Sequence, residues 1–542
     1  YGFNDTTVTE YRRDLNLSKG KADVTFKHDG VTYTREYFAS NPDNVMVARL
    51  TASKAGKLNF NVSMPTNTNY SKTGETTTVK GDTLTVKGAL GNNGLLYNSQ
   101  IKVVLDNGEG TLSEGSDGAS LKVSDAKAVT LYIAAATDYK QKYPSYRTGE
   151  TAAEVNTRVA KVVQDAANKG YTAVKKAHIA DHSAIYDRVK IDLGQSGHSS
   201  DGAVATDALL KAYQRGSATT AQKRELETLV YKYGRYLTIG SSRENSQLPS
   251  NLQGIWSVTA GDNAHGNTPW GSDFHMNVNL QMNYWPTYSA NMGELAEPLI
   301  EYVEGLVKPG RVTAKVYAGA ETTNPETTPI GEGEGYMAHT ENTAYGWTAP
   351  GQSFSWGWSP AAVPWILQNV YEAYEYSGDP ALLDRVYALL KEESHFYVNY
   401  MLHKAGSSSG DRLTTGVPNR ARWAPTATRT RARSCGRCST TPSRRPRPRE
   451  IRTVWSAIPP TARPTTGPRA TTAISPMRTP TVPGAAPRAC SSRSRSATPA
   501  RSRNGTSKVR SARRRMDPPS AATRRTTSTV TCPTCLDCSP VI

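Results

Sequence analysis

Residues 251–285 read NLQGIWSVTAGDNAHGNTPWGSDFHMNVNLQMNYW, and the rest of the chain is organised around them. From His275 to Asn283 the residues alternate: His275, Asn277, Asn279, Gln281 and Asn283 share one parity, and Met276, Val278, Leu280 and Met282 the other. Period two predicts an extended segment with its polar groups on one face, Asn277 and Asn279 about 7 Å apart at Cα. A solvated face would use Lys and Glu. This row uses amides, which are costly to bury unless every donor and acceptor is matched. Trp256, Trp270 and Trp285 flank it. Amides and a histidine beside aromatic rings suit a ligand with an apolar ring face and many hydroxyls, a sugar. The plainer alternative is an internal strand whose side chains satisfy neighbouring backbone. Against it stand the lack of Ser and Thr in the row and its place in a Trp-rich connecting segment.

NLQGIW, PWGSDFH and NVNLQMNYWP, in this order and at these intervals, resemble the signature of glycoside hydrolase family 95, and the likeness runs to about Thr415. The resemblance implies an α+β multidomain chain. Its parts would be an N-terminal β-sandwich (1–140), a helical linker (141–200) and the first part of an (α/α)6 catalytic barrel (201–417). It also implies an enzyme that removes α-1,2-linked L-fucose from oligosaccharide or glycoprotein glycans with inversion, without a cofactor or metal. In that family two asparagines hold the attacking water, and by motif position these are Asn277 and Asn279. His275, Glu341 and Trp356 are the implied substrate contacts. An α-L-galactosidase on the same scaffold and a non-catalytic sugar-binding protein remain alternatives.

The residues outside the motif fit this outline. Val24 and Phe26 alternate into Asp29-Gly30 and out through Val31 and Tyr33, a hairpin signal. Leu58, Phe60, Val62 and Met64 repeat the pattern, as do Val129, Leu131 and Ile133. At Glu150 the period changes: Ala152, Val155, Val159, Val162, Val163 and Ala166 form a helical stripe that stops at Lys169-Gly170. Further helices are predicted around 226–237, over 295–308 with its end at Pro309, over 360–376 and over 380–402. Residues 331–365 form a second cluster rich in Glu, Gly and Trp, in which Trp356 and Trp358 could wall a sugar ring. Glu332 and Glu334 read as a solvated turn.

The net charge of +18 suggests a nucleic-acid partner until the chain is split. Residues 418–542 hold 25 Arg, one Lys and three acids, a net +23, which leaves residues 1–417 at −5. All six cysteines lie in that tail, and Arg, Pro, Thr, Ala and Ser fill 95 of its 125 positions. With one Leu and no Tyr or Phe it has nothing from which to build a core. A basic nucleic-acid-binding tail and a zinc module at Cys435/Cys438 and Cys532/Cys535/Cys538 are two readings of this tail. An out-of-frame translation of a GC-rich gene is the third, and the genetic code favours it. Shifted back one nucleotide, Ser528–Cys538 permits QHRHMSHLLGL, and Pro418–Arg431 permits SPEQGPLGTDGNTYE. Both resemble family landmarks in the right order. The tail is therefore expected to be frameshifted and disordered, and to bind no nucleic acid. The family's general acid would be the Glu of SPEQG, its codon straddling Pro418 and Asn419, so this chain is expected to be inactive. No run of about 18 apolar residues exists, so no membrane span is expected. The chain reads as a fragment without a visible signal peptide, from an extracellular or cell-surface bacterial protein.

Overall fold

The computed structural model describes residues 7–65, 71–194, 204–252, 255, 273–351, 357–404 and 413–415. The tail, the Trp256 and Trp270 segment and Trp356 lie outside them.

The first part is antiparallel β. Strands β1 (Thr9–Asn16), β2 (Lys21–His28), β3 (Val31–Ser40), β4 (Val45–Ala52), β5 (Leu58–Ser63), β6 (Lys72–Lys80), β7 (Thr83–Leu90), β8 (Leu96–Leu105), β9 (Thr111–Glu114), β10 (Ser120–Ala126) and β11 (Ala128–Thr137) form two sheets. The larger has the order β1-β2-β3-β4-β11-β8-β7-β6 and the smaller β5-β10-β9. β2 and β3 meet at Asp29-Gly30, both at positive φ, with His28 opposite Val31. Phe26, Tyr33, Leu84, Ile101 and Val129 from the large sheet share a core with Leu58, Val62, Leu121 and Val123 from the small one.

The other face of the large sheet is buried too. Helix α1 (Ala152–Lys169) starts at a reciprocal cap, Thr151 with Glu154, and ends at Gly170. Its Val159, Val163 and Ala166 pack with Val174 of α2 (Tyr171–Tyr186) on Phe38, Val45, Val47, Tyr132 and Ala134. Tyr132 and Ala134 alternate with Leu131 and Ile133, so one strand serves both cores. Polar groups pin the same joint. Glu36 on β3 meets Lys21 and Lys175, each at 2.7 Å, and Tyr171. Burial opposes its charge, but Lys175, Lys21 and Tyr171 win and pull its pKa down to about 2.

Helices follow: α3 (Thr206–Gln214), α4 (Thr220–Ser241), α5 (Asn279–Ser289), α6 (Glu297–Ala318), α7 (Ala362–Ser377) and α8 (Pro380–Phe396). Leu280, Tyr284 and Tyr288 of α5 join Leu299, Val303 and Leu306 of α6, Val363, Ile366 and Val370 of α7, and Val386 and Leu389 of α8 in one core.

Two expectations are corrected here. The alternating row from 275 to 283 is not a strand. Only Phe274–His275 (β12) is extended, paired with Glu341–Asn342 (β13), and after a turn the chain enters α5 at Asn279. β13 offers a two-residue edge, so the ladder cannot continue past Met276, whose N–H still reaches Thr340 O at 2.8 Å. The buried positions Leu280, Gln281, Tyr284, Thr287 and Tyr288 then recur at helical spacing. Second, α6 does not stop before Pro309 but runs through it. Burial of Gly310, Arg311, Thr313, Ala314 and Ala318 beyond the proline outweighs the roughly 3 kcal/mol that an interior proline costs. The expected helix over 380–402 is present: α8 ends as an α-helix at Phe396 and continues as a π-helix over Tyr397–Met401.

One buried ion pair ties these helices to the loop that carries β13. Arg311 on α6 and Glu392 on α8 are 1% and 0% exposed. Nε and Nη2 of Arg311 donate to the two carboxylate oxygens at 2.7 and 2.8 Å. Its remaining N–H groups take Pro325 O, Thr328 O and Pro329 O, and Glu392 also accepts from Gly331 N. The loop passes so close that a Cβ at Gly333 would lie 2.4 Å from Glu392 Oε1, which explains a glycine in GEGEG.

Two outcomes test this account. Arg311→Met leaves Glu392 charged and unpaired in the core and should lower the unfolding free energy by about 3–5 kcal/mol in urea titration. Arg311→Met with Glu392→Leu should lose distinctly less, and equal losses would count against a pairing role. Because the Glu36 pKa is depressed, its stabilisation is present above its ordinary value of 4.5 and drains away as pH falls toward about 2. Glu36→Gln should flatten the acid limb of a thermal-melt pH profile over that window.

Candidate active site

The site is built where β12, β13 and the first residues of α5 converge. The β12–β13 register sets His275 opposite Glu341 and Phe274 opposite Asn342. Asn342 is fully buried and spends its amide on the carbonyls of Glu341 and Trp347, at 2.9 and 3.1 Å, which holds β13 in shape. Phe274 packs on Tyr302 of α6 with ring centroids 4.7 Å apart.

His275 is 7% exposed, and its Nε2 lies 2.8 Å from Asp273 Oδ1. Asp273 raises the imidazole pKa, against burial, and Glu341 adds a smaller push in the same direction. Glu341 is itself held above the usual carboxylate range, by burial first and by Asp273 second. Asp273, His275 and Glu341 bring donor atoms within 4.8 Å of one another. That is close enough to share one small ligand; a cation at His275 Nε2 would first have to displace the Asp273 contact. Gly351 completes the corner: at φ +83° it lies so near that a Cβ would stand 2.3 Å from Glu341 Oε2.

The amides of the row separate into two groups. Gln281 is fully buried and donates to Met276 O at 2.7 Å. Asn283 donates to Asn251 O at 2.7 Å, tying α5 to the start of the NLQGIW segment. Tyr284 OH accepts from Ser250 N at 2.8 Å and supports the same tie. Asn277, in the turn, is exposed, and Asn279, the first residue of α5, is half-buried. Neither has a hydrogen-bond partner among the described residues. Two amides therefore hold the fold; the side chains of the other two, exposed Asn277 and half-buried Asn279, make no hydrogen bond among the described residues.

The second cluster divides as well. His339 is fully buried, packs against Trp358 with tilted rings 4.6 Å apart, and accepts from Ser359 N at 3.1 Å. Burial with no acid beside it pushes its pKa down to about 4, so the ring is neutral. Trp358 also packs on Tyr317 and is half-buried, so part of its ring surface is spent on these two neighbours. Glu332 is exposed, whereas Glu334 accepts from Tyr400 OH at 2.7 Å. Sequence reasoning named His275 and Glu341 but missed Asp273 and Gly351. Asp273 sits two residues before His275 in PWGSDFH, on the same face of an extended segment, and that spacing was the available signal.

Residues 170–417 match the glycosyl hydrolase family 95 catalytic domain. These residues belong to glycosyl hydrolase family 95. Residues 2–142 match the N-terminal domain of glycosyl hydrolase family 65. Alpha-L-fucosidase 2 of Arabidopsis thaliana is 30% identical over 421 residues, 73% of this chain and 46% of that protein. The protein named "Probable alpha-fucosidase A" of Aspergillus niger is 30% identical over 403 residues, 73% of this chain and 47% of its own length. Its namesake from Aspergillus oryzae is 27% identical over 351 residues, 63% of this chain and 44% of its own length. The chain thus spans about half the length of the curated relatives it matches. By family it is a glycoside hydrolase, and the fold on which the family rests here is an antiparallel β-sheet domain followed by helices.

The division among the amides makes a direct prediction. Asn277→Ala and Asn279→Ala should leave the thermal or urea midpoint within the scatter of surface substitutions, about 0.5 kcal/mol. Asn283→Ala, which strips Asn251 O of its donor, should cost about 1 kcal/mol. Stability losses at 277 or 279 that match the loss at 283 would assign all three to packing.

Proposed function

We propose that this chain carries the substrate-binding and water-holding half of an inverting exo-α-L-fucosidase acting on α-1,2-linked fucose in glycans, working outside the cell. The observation that carries the reading is the pair of unpartnered amides, Asn277 and Asn279, at the mouth of α5, one turn from a histidine flanked by two carboxylates. Inverting hydrolysis needs a water fixed on the face opposite the leaving oxygen and an acid on the leaving side, a water's width apart. Amides are poor bases, but two of them can orient a water through its hydrogens and lone pairs, and orientation alone removes much of the barrier. A carboxylate behind one amide would then take the proton. His275 and Glu341 supply a donor and an acceptor for sugar hydroxyls. Trp356, a proposed stacking partner for the sugar ring, lies outside the described residues.

The general acid is not in this reading frame. On our reading, one nucleotide lost near Thr415–Asn419 scrambles the residues that would complete an (α/α)6 barrel, and with them the general acid and the HRH of the hidden QHRHMSHLLGL string. The names of the Arabidopsis and Aspergillus relatives support the fucosidase class. The two in-frame strings hidden in the tail support the slip.

The test is a gene with the frame restored at codons 415–419. The restored enzyme should release L-fucose from 2'-fucosyllactose, the β-anomer appearing first by proton NMR. The chain as written should release none. In the restored enzyme Asn279→Ala should lower kcat by about 10²-fold, the scale of losing one preorganised polar contact to the reacting groups. Fucose release by the chain as written, or none by the restored enzyme, would defeat the proposal.

A further inference from the structure

The loop that leaves β11 follows the β domain in sequence, but its side chains meet the helical part. Residues 139–147 double back through a bridge between Tyr139 and Arg147. Gln141 Nε2 donates to Glu301 O and Tyr302 O of α6, both at 3.4 Å, and a Cβ at Gly305 would collide with it. The rest of the loop closes on the turn that follows β13. Tyr139 Oη donates to Ala344 O at 2.5 Å. Tyr345 is gripped by three side chains of the loop. The rings of Tyr139 and Tyr146 meet it edge to face, with centroids 5.8 and 6.0 Å away, and the Arg147 guanidinium stands 5.7 Å over its ring. Gly346, at φ +67°, lies against Tyr146, and a Cβ there would overlap the phenol oxygen.

The same turn is held from the helical side, where Tyr302 of α6 donates to Thr343 O at 3.1 Å. Two tyrosine hydroxyls, one from each part of the chain, thus take consecutive carbonyls. An interface that only joined two domains would need no more than apolar area. Two features tie this one to the site. Asn342 stands between Glu341 and the gripped turn, and its amide donates to both Glu341 O and Trp347 O, which closes β13 and the turn into one unit. Past the turn, Thr348 is anchored to Thr313 of α6 through their hydroxyls, 2.6 Å apart, and the chain then brings Gly351 up against the Glu341 carboxylate. A shift of the turn therefore moves Glu341 and Gly351 together, and changes the side of the corner that faces His275.

We propose that Tyr139 is a positioning residue for this site. Its hydroxyl, seated on Ala344 O and backed by the grip on Tyr345, holds the turn so that Glu341 stands opposite His275. The loop from the β domain, 205 residues before the carbonyl it holds, is then a working part of the site without touching the ligand. The consequence for ligand binding rests on the sugar reading proposed above; the hold on the β12–β13 ladder does not.

The test compares the full 542-residue chain with Tyr139→Phe, which keeps the ring and deletes the hydroxyl. Tyr97→Phe is the control, because it deletes a hydroxyl that donates to Glu75 at 2.6 Å within the β domain. Hydrogen exchange is read by mass spectrometry on peptides covering 274–280 and 341–348, where Met276 N–H on Thr340 O and Gly346 N–H on Thr343 O are the reporters. Exchange in both peptides should quicken about fivefold in Tyr139→Phe and stay unchanged in Tyr97→Phe. In calorimetry Tyr139→Phe should bind L-fucose about fivefold more weakly, the scale of one lost hydrogen bond, and Tyr97→Phe should bind as the unaltered chain does. Unchanged exchange at 274–280 in Tyr139→Phe, or an equal rise in the control, reduces the interface to packing and overturns the proposal. Faster exchange with undiminished L-fucose binding overturns it as well. If Tyr139→Phe fails to fold, Tyr345→Leu decides: it strips the same grip from the other side and should give both changes, and the absence of either overturns the proposal. Should exchange respond as expected while the unaltered chain takes up no L-fucose, the hold on the ladder stands and the sugar reading fails.

Discussion

The Arg311–Glu392 pair is the constraint on which the rest of the helical half depends. Two charges at 1% and 0% exposure are tolerable only because every guanidinium N–H and both carboxylate oxygens are used. Three of those partners are loop carbonyls, at Pro325, Thr328 and Pro329, and one is the Gly331 amide. The pair therefore clamps α6, α8 and the loop between α6 and β13 into one unit. That clamp sets where the chain enters β13, and β13 sets where Glu341 faces His275. A charge knot more than twenty residues from the site in sequence thus controls its geometry.

Around the site, environment sorts chemically identical groups into different jobs. His275 and His339 are both buried histidines. His275 has Asp273 beside it and is drawn toward the charged form; His339 has an aromatic ring and a backbone N–H and is kept neutral. The amides divide by the same logic. Gln281 and Asn283 meet backbone carbonyls and stabilise the entry to α5, whereas Asn277 and Asn279 stand where water can reach them. A polar group that is matched contributes to the fold, and an unmatched one at an accessible corner is available to a ligand.

The charge of the whole chain shows why composition must be read by region. The net +18 does not describe the larger part of this chain: the first 417 residues are mildly acidic, and the excess lies in the tail, residues 418–542, where Arg, Pro, Thr, Ala and Ser dominate. The proposed frame slip accounts for its Arg, Pro, Ala, Ser and Thr bias and for its cysteines with one event. A zinc or nucleic-acid reading explains only one feature each.

Local pattern was enough for the first half. The Asp29-Gly30 hairpin, the alternation at 58–64 and 129–133, and the stripe from Ala152 to Ala166 with its glycine stop are short-range signals, and each element stands where its residues put it. His275 and Glu341 both stand out in the sequence, and the fold sets them opposite each other on β12 and β13. Whether residues 275–283 form a strand could not be decided that way. Period two and period 3.6 both fit that row, and the choice fell to how much edge β13 offered for pairing and to the core that Leu280, Tyr284 and Tyr288 fill as a helix. The run of α6 through Pro309 and the closeness of Asp273 to His275 and of Gly351 to Glu341 are of the same kind. Each depends on what the rest of the chain places nearby, because burial and pairing are paid in three dimensions and a sequence window sees only one.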